Sequence, residues 1–400
     1  MAELPIRQTP LGMALAQAIA ERGLITFADY MQIALYDPTA GYYTSGARHG
    51  ATQRQRVGWE GDFITSGDLH PLFGAAIGRK LAQIWDQLGR PHPFVVHEDG
   101  AGRGLLARDV LAWVRREDGT ASHGGDAPAG FAAALVYRMR DVADTPEGTR
   151  QWPAEPPADP AVMDLPPQVI LSNELIDAFP VHIVERVADG WAEIYVDASD
   201  APPYLREILG PSVDGVVAYL ERYGVRWQDL PLGWRGEVCL QAEEWMADAA
   251  QRLVPRGCVI TIDYGDTADR LYTPERPKGT LLCYRAHTSG DQPLAFTGEQ
   301  DITAHVNFSA LVEVGQRFGL SVAELTTQRD FLLSLGLRDD AEALARQLFP
   351  HADTERHTDA GQRDYLRRAS LRNRVATLLD PAGLGGFRVL VQQQDISQGI

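Results

Sequence analysis

Apolar residues recur at helical spacing in several stretches of the chain. The first such stretch, residues 9–34, includes Leu11, Leu15 and Ile19 among its apolar positions. These residues are best explained as the buried face of a helical segment. The same spacing predicts helices in five further stretches: residues 71–88, 105–114, 240–253, 341–348 and 362–379.

Short apolar runs between these stretches predict β-strands. Residues 169–172 form one such run. Two alternating runs, at residues 181–187 and 191–196, flank Asp189 and Gly190, which predicts a hairpin because glycine supplies the positive φ of a tight turn. The remaining predicted strands are the run that begins at Phe94 and residues 133–139, 258–263 and 387–391.

Strands that alternate with helices predict an α/β fold with a mostly parallel, doubly wound, Rossmann-like sheet. Residues 1–90 are predicted to form an N-terminal helical segment and a lid, with a basic patch at residues 48–56. Residues 91–400 are predicted to form the α/β core. Inserted hairpin and helical elements at about residues 181–235 and 265–375 would cap it and bind the substrate.

A glycine-rich turn follows the strand that begins at Phe94. Glu98 is followed by Gly100, Gly102 and Gly104 at alternate positions, and a helical pattern comes next. Glycines let the backbone adopt positive φ and approach a ligand closely, while the N-terminus of the next helix offers free N–H groups. The turn therefore indicates a site for a nucleotide-like cofactor. A plain connection between a strand and a helix is the alternative.

Two classes of cofactor compete for this turn. The dinucleotide fingerprint requires a third glycine three positions after Gly102, and Leu105 stands there instead. The run from Glu98 to Gly104 has the form that is usual in enzymes that bind S-adenosylmethionine. A nicotinamide-dependent oxidoreductase is thus the less favoured interpretation.

Polar and acidic residues stand at the ends of three predicted strands. They are Glu98, Asn173 with Glu174, and Asp263. The carboxyl ends of parallel strands lie along one edge of the sheet, so these residues are expected to converge on one crevice. Glu174 and Asp177 could orient an amine, guanidine or hydroxyl acceptor and remove its proton.

Charge and cysteine content restrict the class of protein. The net charge of −17 and the pI near 5.0 argue against binding nucleic acid through a basic surface. An acidic surface favours solubility and would also attract a basic acceptor. The cysteines are far apart, which excludes a recognisable zinc motif, and no metal is expected: Cys239, Cys258 and Cys283. No apolar run approaches the length of a membrane span and no signal peptide is recognisable, so we expect a cytoplasmic protein without a membrane partner.

An ordered set of motifs gives the sequence a more specific resemblance. The chain resembles the MidA-like family of S-adenosylmethionine-dependent methyltransferases, whose mitochondrial members are complex I assembly factors that methylate a protein arginine. The matching motifs span most of the chain: residues 36–38 with 41–43, 61–65, 73–74, 98–104, 173–175 with 177–180, 263–265, 279–281 and 298–306.

The resemblance implies a class I methyltransferase fold, S-adenosyl-L-methionine as cofactor and specific roles for residues. Asn173 and Glu174 would lie where the methyl group is delivered. Asp62 and Thr65 would help to close the site over cofactor or acceptor. Four residues of the glycine turn would shape the cofactor pocket: Glu98, Gly100, Gly102 and Gly104.

The sequence departs from the family pattern at several positions. Arg138 aligns with the acid that usually ends the second strand and binds the ribose hydroxyls, and a guanidinium has no acceptor for them. Asp141 is the candidate substitute. His70 replaces a small polar residue and Asn307 replaces an acid. His305 is the preferred histidine candidate for catalysis, although a lone histidine is more often structural.

These patterns predict a methyltransferase that acts on nitrogen or oxygen of a protein, peptide or small metabolite, with arginine as one candidate acceptor. Its expected catalytic residues are Glu174, Asp177 and His305. The alternative is an assembly or interaction protein that keeps the fold but has an impaired pocket, and Arg138 is the main support for it.

Overall fold

The computed structural model describes residues 7–45, 65–115, 127–142, 150–152, 164–285 and 288–394. Asp62 and the predicted basic patch at residues 48–56 lie outside the described residues. Thirteen α-helices lie within them: α1 Pro10–Arg22, α2 Phe27–Tyr36, α3 Ser66–Leu69, α4 Leu72–Gln87, α5 Leu105–Arg115, α6 Phe131–Ala134, α7 Asp214–Arg222, α8 Leu240–Arg252, α9 Ala268–Leu271, α10 Phe308–Arg317, α11 Gln328–Ser334, α12 Leu337–Leu348 and α13 Asp359–Leu378.

The described residues also form seventeen β-strands, seven of which make one large sheet. The order of that sheet is β16-β17-β10-β5-β2-β3-β4. The strands are β1 Ile25–Thr26, β2 Phe94–Asp99, β3 Leu135–Arg140, β4 Arg150–Trp152, β5 Val169–Asn173, β6 His182–Val187, β7 Gly190–Ala198, β8 Leu205–Pro211, β9 Arg235–Val238, β10 Cys258–Asp263, β11 Gly265–Asp266, β12 Leu282–Arg285, β13 Thr288–Gly290, β14 Asp301–Thr303, β15 Val306–Asn307, β16 Leu320–Thr327 and β17 Arg388–Gln394.

The helical segment predicted at residues 9–34 is interrupted. Gly23 ends α1 with a φ of 103°, a conformation that side chains with a Cβ rarely adopt. Thr26 then begins α2 by accepting a hydrogen bond of 3.0 Å from the N–H of Asp29. The apolar spacing hides this break because buried residues occur on both helices.

Four neighbouring strands at the centre of the large sheet run parallel: β10, β5, β2 and β3. The predicted α/β sheet is therefore confirmed. Strands β17, β16 and β4 pair antiparallel to their neighbours. These antiparallel pairings were not predicted, because the alternation of apolar residues carries no information about the direction of a strand.

Helices cover both faces of the large sheet. On one face α4, α5, α11, α12 and α13 form a core that includes Phe73, Trp113 and Leu378. On the other face α8 and α10 pack through Met246 and Phe308. Burial of each such side chain contributes about 2 kcal/mol to stability. No helix in the described part of the chain combines the length and the apolar character that a bilayer span requires.

A second sheet of order β1-β7-β6-β9, with β8 paired to β7, forms a cap. The N-terminal segment contributes to this cap, since β1 pairs with β7 and helices α1 and α2 share a core with β6 and β7. Helix α4 packs instead against the large sheet. The division of the chain into domains at residue 90 stays a prediction.

Candidate functional site

The glycine turn connects β2 to α5 at the carboxyl edge of the large sheet. Gly100, Gly102 and Gly104 all have positive φ, at 73°, 49° and 73°. A Cβ on Gly100 would come within 2.7 Å of the side chain of Leu175, so only glycine lets the turn approach the end of β5. A Cβ on Gly102 would meet no atom within 4 Å. Gly102 therefore faces a space that a ligand can occupy.

The end of β3 holds this turn in place. Its position also shows that Arg138 was misaligned with the family's ribose-binding acid. The strand continues to Arg140, whose carbonyl accepts hydrogen bonds from the N–H groups of Gly100 and Ala101. Asp141 follows directly, and its carboxylate accepts a hydrogen bond of 2.8 Å from the N–H of Gly102. The acid at the strand end is thus Asp141.

Arg138 lies inside β3 rather than at its end. It pairs in register with His97 of β2, is 6% exposed and donates a hydrogen bond of 2.8 Å to the carbonyl of Leu165. The argument that Arg138 replaces a ribose-binding acid is therefore wrong. The motif alignment was displaced along the strand because a single sequence does not fix where a strand ends.

Glu98 is a buried residue of β2, the strand before the turn. It is 3% exposed and accepts a hydrogen bond of 2.8 Å from the hydroxyl of Tyr137. Its neighbour Asp99 instead accepts hydrogen bonds from Arg252 and Trp245. Burial acts to raise the pKa of Asp99, but His97, whose Nε2 lies 3.3 Å from Oδ1, and the guanidinium of Arg252 hold it below its ordinary value.

Glu174 follows β5 in a left-handed backbone conformation. Its φ is 52°, which is uncommon for a residue with a side chain and is found where structure imposes it, often at functional sites. Its carboxylate accepts hydrogen bonds from the N–H of Ser66, at 2.9 Å, and from the side chain of Asn173, at 3.1 Å. Burial raises the pKa of Glu174 to about 7, although the Ser66 bond acts in the opposite direction.

Asp177 lies three residues after Glu174 and is 7% exposed. One oxygen of its carboxylate accepts a hydrogen bond of 2.5 Å from the hydroxyl of Tyr264. The other oxygen, Oδ1, has no hydrogen-bond partner among the described residues, and the same holds for Oδ1 of Asn173. Burial raises the pKa of Asp177. Buried polar atoms normally have hydrogen-bond partners, so these two oxygens make the site a candidate for binding a hydrogen-bond donor.

Asp263, at the end of β10, anchors the turn that carries these groups. Its Oδ2 accepts hydrogen bonds from the backbone N–H groups of Leu175, Ile176 and Asp177. Burial and the neighbouring Asp177 raise the pKa of Asp263 well above its ordinary value. Asp263 therefore converges with Glu174 as the sequence suggested, and its hydrogen bonds hold the turn.

Tyrosine side chains lie near Glu174, Asp177 and Asp263, which together form the acidic group of the site. The hydroxyl of Tyr36 donates to the carbonyl of Ala178 at 2.9 Å, and the hydroxyl of Tyr43 donates to Asp301 at 2.8 Å. Burial raises the pKa of both tyrosines well above its ordinary value. Both hydroxyls therefore stay protonated donors at neutral pH.

Helix α3 joins the glycine turn to Glu174. The N–H and the hydroxyl of Thr65 donate to the carboxylate of Asp68, at 3.1 and 2.9 Å. Asp68 also forms an ion pair with Arg103 of the glycine turn. Ser66, the next residue after Thr65, bonds to Glu174. Thr65 is thus connected to the site through its contacts with Asp68 and its adjacent residue Ser66. Asp62 lies outside the described residues.

Of the two histidine candidates, His305 contacts the site through Tyr264. The ring of His305 packs edge-on against Tyr264, with centroids 5.4 Å apart. Burial and the charge of Arg276 lower the pKa of His305 to about 4, so the ring is neutral at physiological pH. Nδ1 of His70 accepts a hydrogen bond from the N–H of Leu72.

Asn307, the other departure from the family pattern, has a structural role. It caps α10 by accepting from the N–H of Ser309, and its amide donates to the hydroxyl of Tyr219.

Sequence reasoning missed Ser66 and Gln328 and gave Tyr264 no role. Ser66 contacts Glu174, and its hydroxyl donates to Gln328 at 3.2 Å. Tyr264 lies in the motif at residues 263–265, but the motif gives no indication of its hydrogen bond to Asp177. Ser66 and Gln328 left no local signal, because their contacts join distant parts of the chain.

Comparison with known proteins assigns the chain to a family. Residues 76–326 match the model of the family described as "Putative S-adenosyl-L-methionine-dependent methyltransferase". The chain belongs to this family. The protein is an S-adenosylmethionine-dependent methyltransferase, as its sequence predicts.

The names of two similar proteins agree with this assignment. The "Protein arginine methyltransferase NDUFAF7 homolog, mitochondrial" of Drosophila melanogaster is 28% identical over 397 residues, covering 94% of this methyltransferase and 82% of the relative. The human "Protein arginine methyltransferase NDUFAF7, mitochondrial" is 27% identical, and the alignment covers 84% of this chain and 75% of the human protein.

A crystal structure from Burkholderia thailandensis is similar over the full length of the methyltransferase. It is described as a COG1565 superfamily member and "likely methyl transferase" bound to S-adenosyl-homocysteine, with a TM-score of 0.73 and 27% identity. The alignment covers 100% of this chain and 97% of that one. S-adenosylmethionine is accordingly the cofactor of the methyltransferase.

The expectation of a cytoplasmic protein is wrong. The relatives from Drosophila melanogaster, Mus musculus and Homo sapiens are named as mitochondrial proteins. Cysteines without partners fit any reducing compartment, and a sequence without a recognisable signal does not specify the cytoplasm.

Proposed function

We propose that the methyltransferase transfers a methyl group to a guanidinium nitrogen of an arginine side chain in a protein. The observation that carries this proposal is the pair of carboxyl groups of Glu174 and Asp177, which have raised pKa values beside the glycine turn. The names of the relatives from Drosophila melanogaster and Homo sapiens, both protein arginine methyltransferases, support the same acceptor.

Recognition of a guanidinium needs acceptor oxygens in a partly desolvated site. A guanidinium carries five N–H donors and no acceptor, so it pairs with carboxylates and amide oxygens. Oδ1 of Asp177 and Oδ1 of Asn173 supply acceptors that no other described residue uses. A bound cation would also favour the charged forms of Glu174 and Asp177 and lower the pKa of each.

The pocket for the cofactor is proposed from the residues that the turn brings together. The open space at Gly102 would receive the cofactor, and Asp141 beside it has the acceptors that ribose hydroxyls require. Thr65 would contribute through α3, and Asn173 through the unused oxygen of its amide. When bound, S-adenosylmethionine supplies a methyl group attached to a positively charged sulfur.

The carboxylates would orient the acceptor and remove its proton. Methyl transfer would exchange a carbon–sulfur bond for a carbon–nitrogen bond, with the electron pair left on sulfur as a thioether. The nitrogen loses one proton, which the carboxylate of Glu174 takes. A carboxylate whose pKa is about 7 is a stronger base than an ordinary one and still ionises near neutral pH.

The identity of the product tests this function. The purified protein is incubated with S-adenosylmethionine labelled in its methyl group and with a protein extract, and the labelled proteins are hydrolysed to amino acids. We expect the label in methylated arginine. We expect Glu174→Gln to reduce the label at least about tenfold, as loss of a general base does.

A matched control keeps this test specific. Glu221 is exposed on α7, so Glu221→Gln should label arginine at the wild-type rate. Label in methylated lysine, or as methanol released by base, would overturn the assignment to arginine. Full activity of Glu174→Gln would overturn the role of Glu174.

A further inference from the structure

A second cleft lies outside the glycine turn and the acidic group. It has a volume of about 540 Å³ and lies between α11, α12 and the C-terminal half of α13. Arginine and apolar residues make up most of its lining: Arg329, Arg338, Arg372, Val375, Ala376, Thr377, Leu379, Asp380 and Pro381. One carboxylate therefore accompanies three guanidinium groups.

The charges of this arginine cleft are poorly compensated from within the protein. Arg338 and Arg372 are exposed, and neither forms a salt bridge or side-chain hydrogen bond with any residue that the structure describes. Arg329 makes one long hydrogen bond, of 3.4 Å, to the carbonyl of Leu379. Nearby on the same helix α13, Arg368 is paired with Asp353. The cleft thus concentrates positive charge in a chain whose net charge is −17.

We propose that the arginine cleft binds an acidic segment of the protein that accepts the methyl group, an inference that rests on the proposed function. Guanidinium groups bind carboxylates through paired hydrogen bonds. A strongly acidic enzyme repels an acidic partner unless a local patch reverses the sign of the charge. The cleft, at about 540 Å³, is far larger than the space of about 30 Å³ that one water fills, so it has room for several side chains.

Hydrogen bonds link the wall of the arginine cleft to the acidic group. Gln328 precedes Arg329 and is fully buried. Its side chain donates to the carbonyl of Leu378 at 3.5 Å and accepts from the hydroxyl of Ser66 at 3.2 Å. Ser66 in turn bonds to Glu174. Hydrogen bonds through Gln328 and Ser66 therefore connect the wall of the cleft to the carboxylate of Glu174.

Binding of a defined acidic peptide tests this inference without any catalytic step. The probe is a fluorescein-labelled hexaglutamate peptide, and fluorescence anisotropy measures its affinity for the full-length protein at low salt. We expect wild-type binding that weakens as salt increases. The double variant Arg338→Ala with Arg372→Ala should bind at least about tenfold more weakly, as loss of two charge-assisted contacts predicts.

The control removes the same charge from the same region. Arg363 and Arg367 are exposed on α13 and do not line the cleft, so their double alanine variant should bind within about twofold of wild type. Equal losses in both double variants, or no binding by wild type, would overturn the inference. So would binding of inorganic phosphate to the cleft in the absence of hexaglutamate binding, which would indicate a site for a small anion.

Two further readouts separate this inference from the proposed function. Calorimetry with S-adenosyl-homocysteine should give the same affinity for wild type and for the variant of the arginine cleft. The labelled hydrolysate reports the acceptor atom independently of hexaglutamate. For the double variant Arg338→Ala with Arg372→Ala, we expect loss of hexaglutamate binding while arginine in weakly acidic acceptor proteins is still labelled. Unchanged hexaglutamate binding by this variant would contradict the inference, whichever amino acid carries the label.

Discussion

The backbone N–H of Ser66 donates a hydrogen bond of 2.9 Å to the carboxylate of Glu174, although 108 residues separate them in the chain. The hydroxyl of Ser66 also donates to the side chain of Gln328, and both Ser66 and Gln328 are fully buried. Gln328 therefore fixes the position of the N–H that stabilises the charged form of Glu174.

Replacing Gln328 by alanine should raise the pKa of Glu174. The bond from Ser66 favours the carboxylate, so loosening it favours the protonated acid. We expect the rise of the methylation rate with pH to move upward by about one pH unit, which a pH–rate profile measures.

Gln316→Ala, on the exposed surface of α10, is the control for this shift and should leave the profile unchanged. A slower Gln328→Ala enzyme whose profile keeps the wild-type midpoint would show that Gln328 supports the fold alone.

Glu174→Gln should stabilise the protein at neutral and alkaline pH relative to wild type. In the folded wild-type protein the pKa of Glu174 is about 7, above its ordinary value of 4.5. The folded state therefore binds more protons than the unfolded state between these values, and stability falls as the pH rises from 4.5 to 7. The variant lacks this loss, which is about 3 kcal/mol for a shift of this size.

Urea unfolding at several pH values measures this difference. The free energies of unfolding of wild type and Glu174→Gln should diverge between pH 4.5 and 7 and stay parallel above pH 7. A constant difference across this range would contradict a raised pKa for Glu174.

Tyr264→Phe should impair turnover while leaving cofactor affinity unchanged. The hydroxyl of Tyr264 donates to Asp177 at 2.5 Å, and its loss leaves a buried carboxylate oxygen without that donor. The cost is about 1–3 kcal/mol, so we expect a rate reduced by about tenfold to a hundredfold. Tyr195→Phe removes a hydroxyl that bonds to the carbonyl of Pro211 on the exposed edge of the cap and should have wild-type activity. Equal rates for the two variants would refute the role of Tyr264.

Gly102→Val should abolish binding of S-adenosyl-homocysteine. Its side chain would enter the open space at the turn, at a φ of 49°. Gly224→Val is a matched control, since Gly224 has a φ of 72° and open space around its Cβ position. Both variants should lose stability through backbone strain of about 1–2 kcal/mol. Calorimetry should show that only Gly102→Val loses affinity for S-adenosyl-homocysteine. Wild-type affinity in Gly102→Val would disprove the assignment of the glycine turn to the cofactor pocket.

The sequence predicted those parts of the molecule that local patterns specify. Residues 258–263 form β10 as expected, because an apolar run lies between Gly257 and the Asp263-Tyr264 turn. The positions of Asn173 and Glu174 followed from the strand before them. The residue that ends β3 was misplaced, because the strand continues past Arg138 to Arg140 and Asp141 is the acid that reaches the turn.

The contacts that set the chemistry of the site could not be predicted in the same way. Ser66 meets Glu174 and Gln328 across 108 and 262 residues, and the hydroxyl of Tyr264 meets Asp177 across 87. No periodicity encodes such pairs. They arise because parallel strands and their connecting segments bring distant side chains to one edge of the sheet.

The most direct test of the acidic group is whether it distinguishes a guanidinium from an ammonium. Saturation-transfer NMR compares N-acetyl-arginine amide with N-acetyl-lysine amide at millimolar concentration, with the protein saturated by S-adenosyl-homocysteine. We predict stronger transfer to the arginine compound, and loss of that preference in Asp177→Asn. Equal transfer to both compounds, or an arginine preference that survives in Asp177→Asn, would contradict the claim that Glu174 and Asp177 receive the arginine.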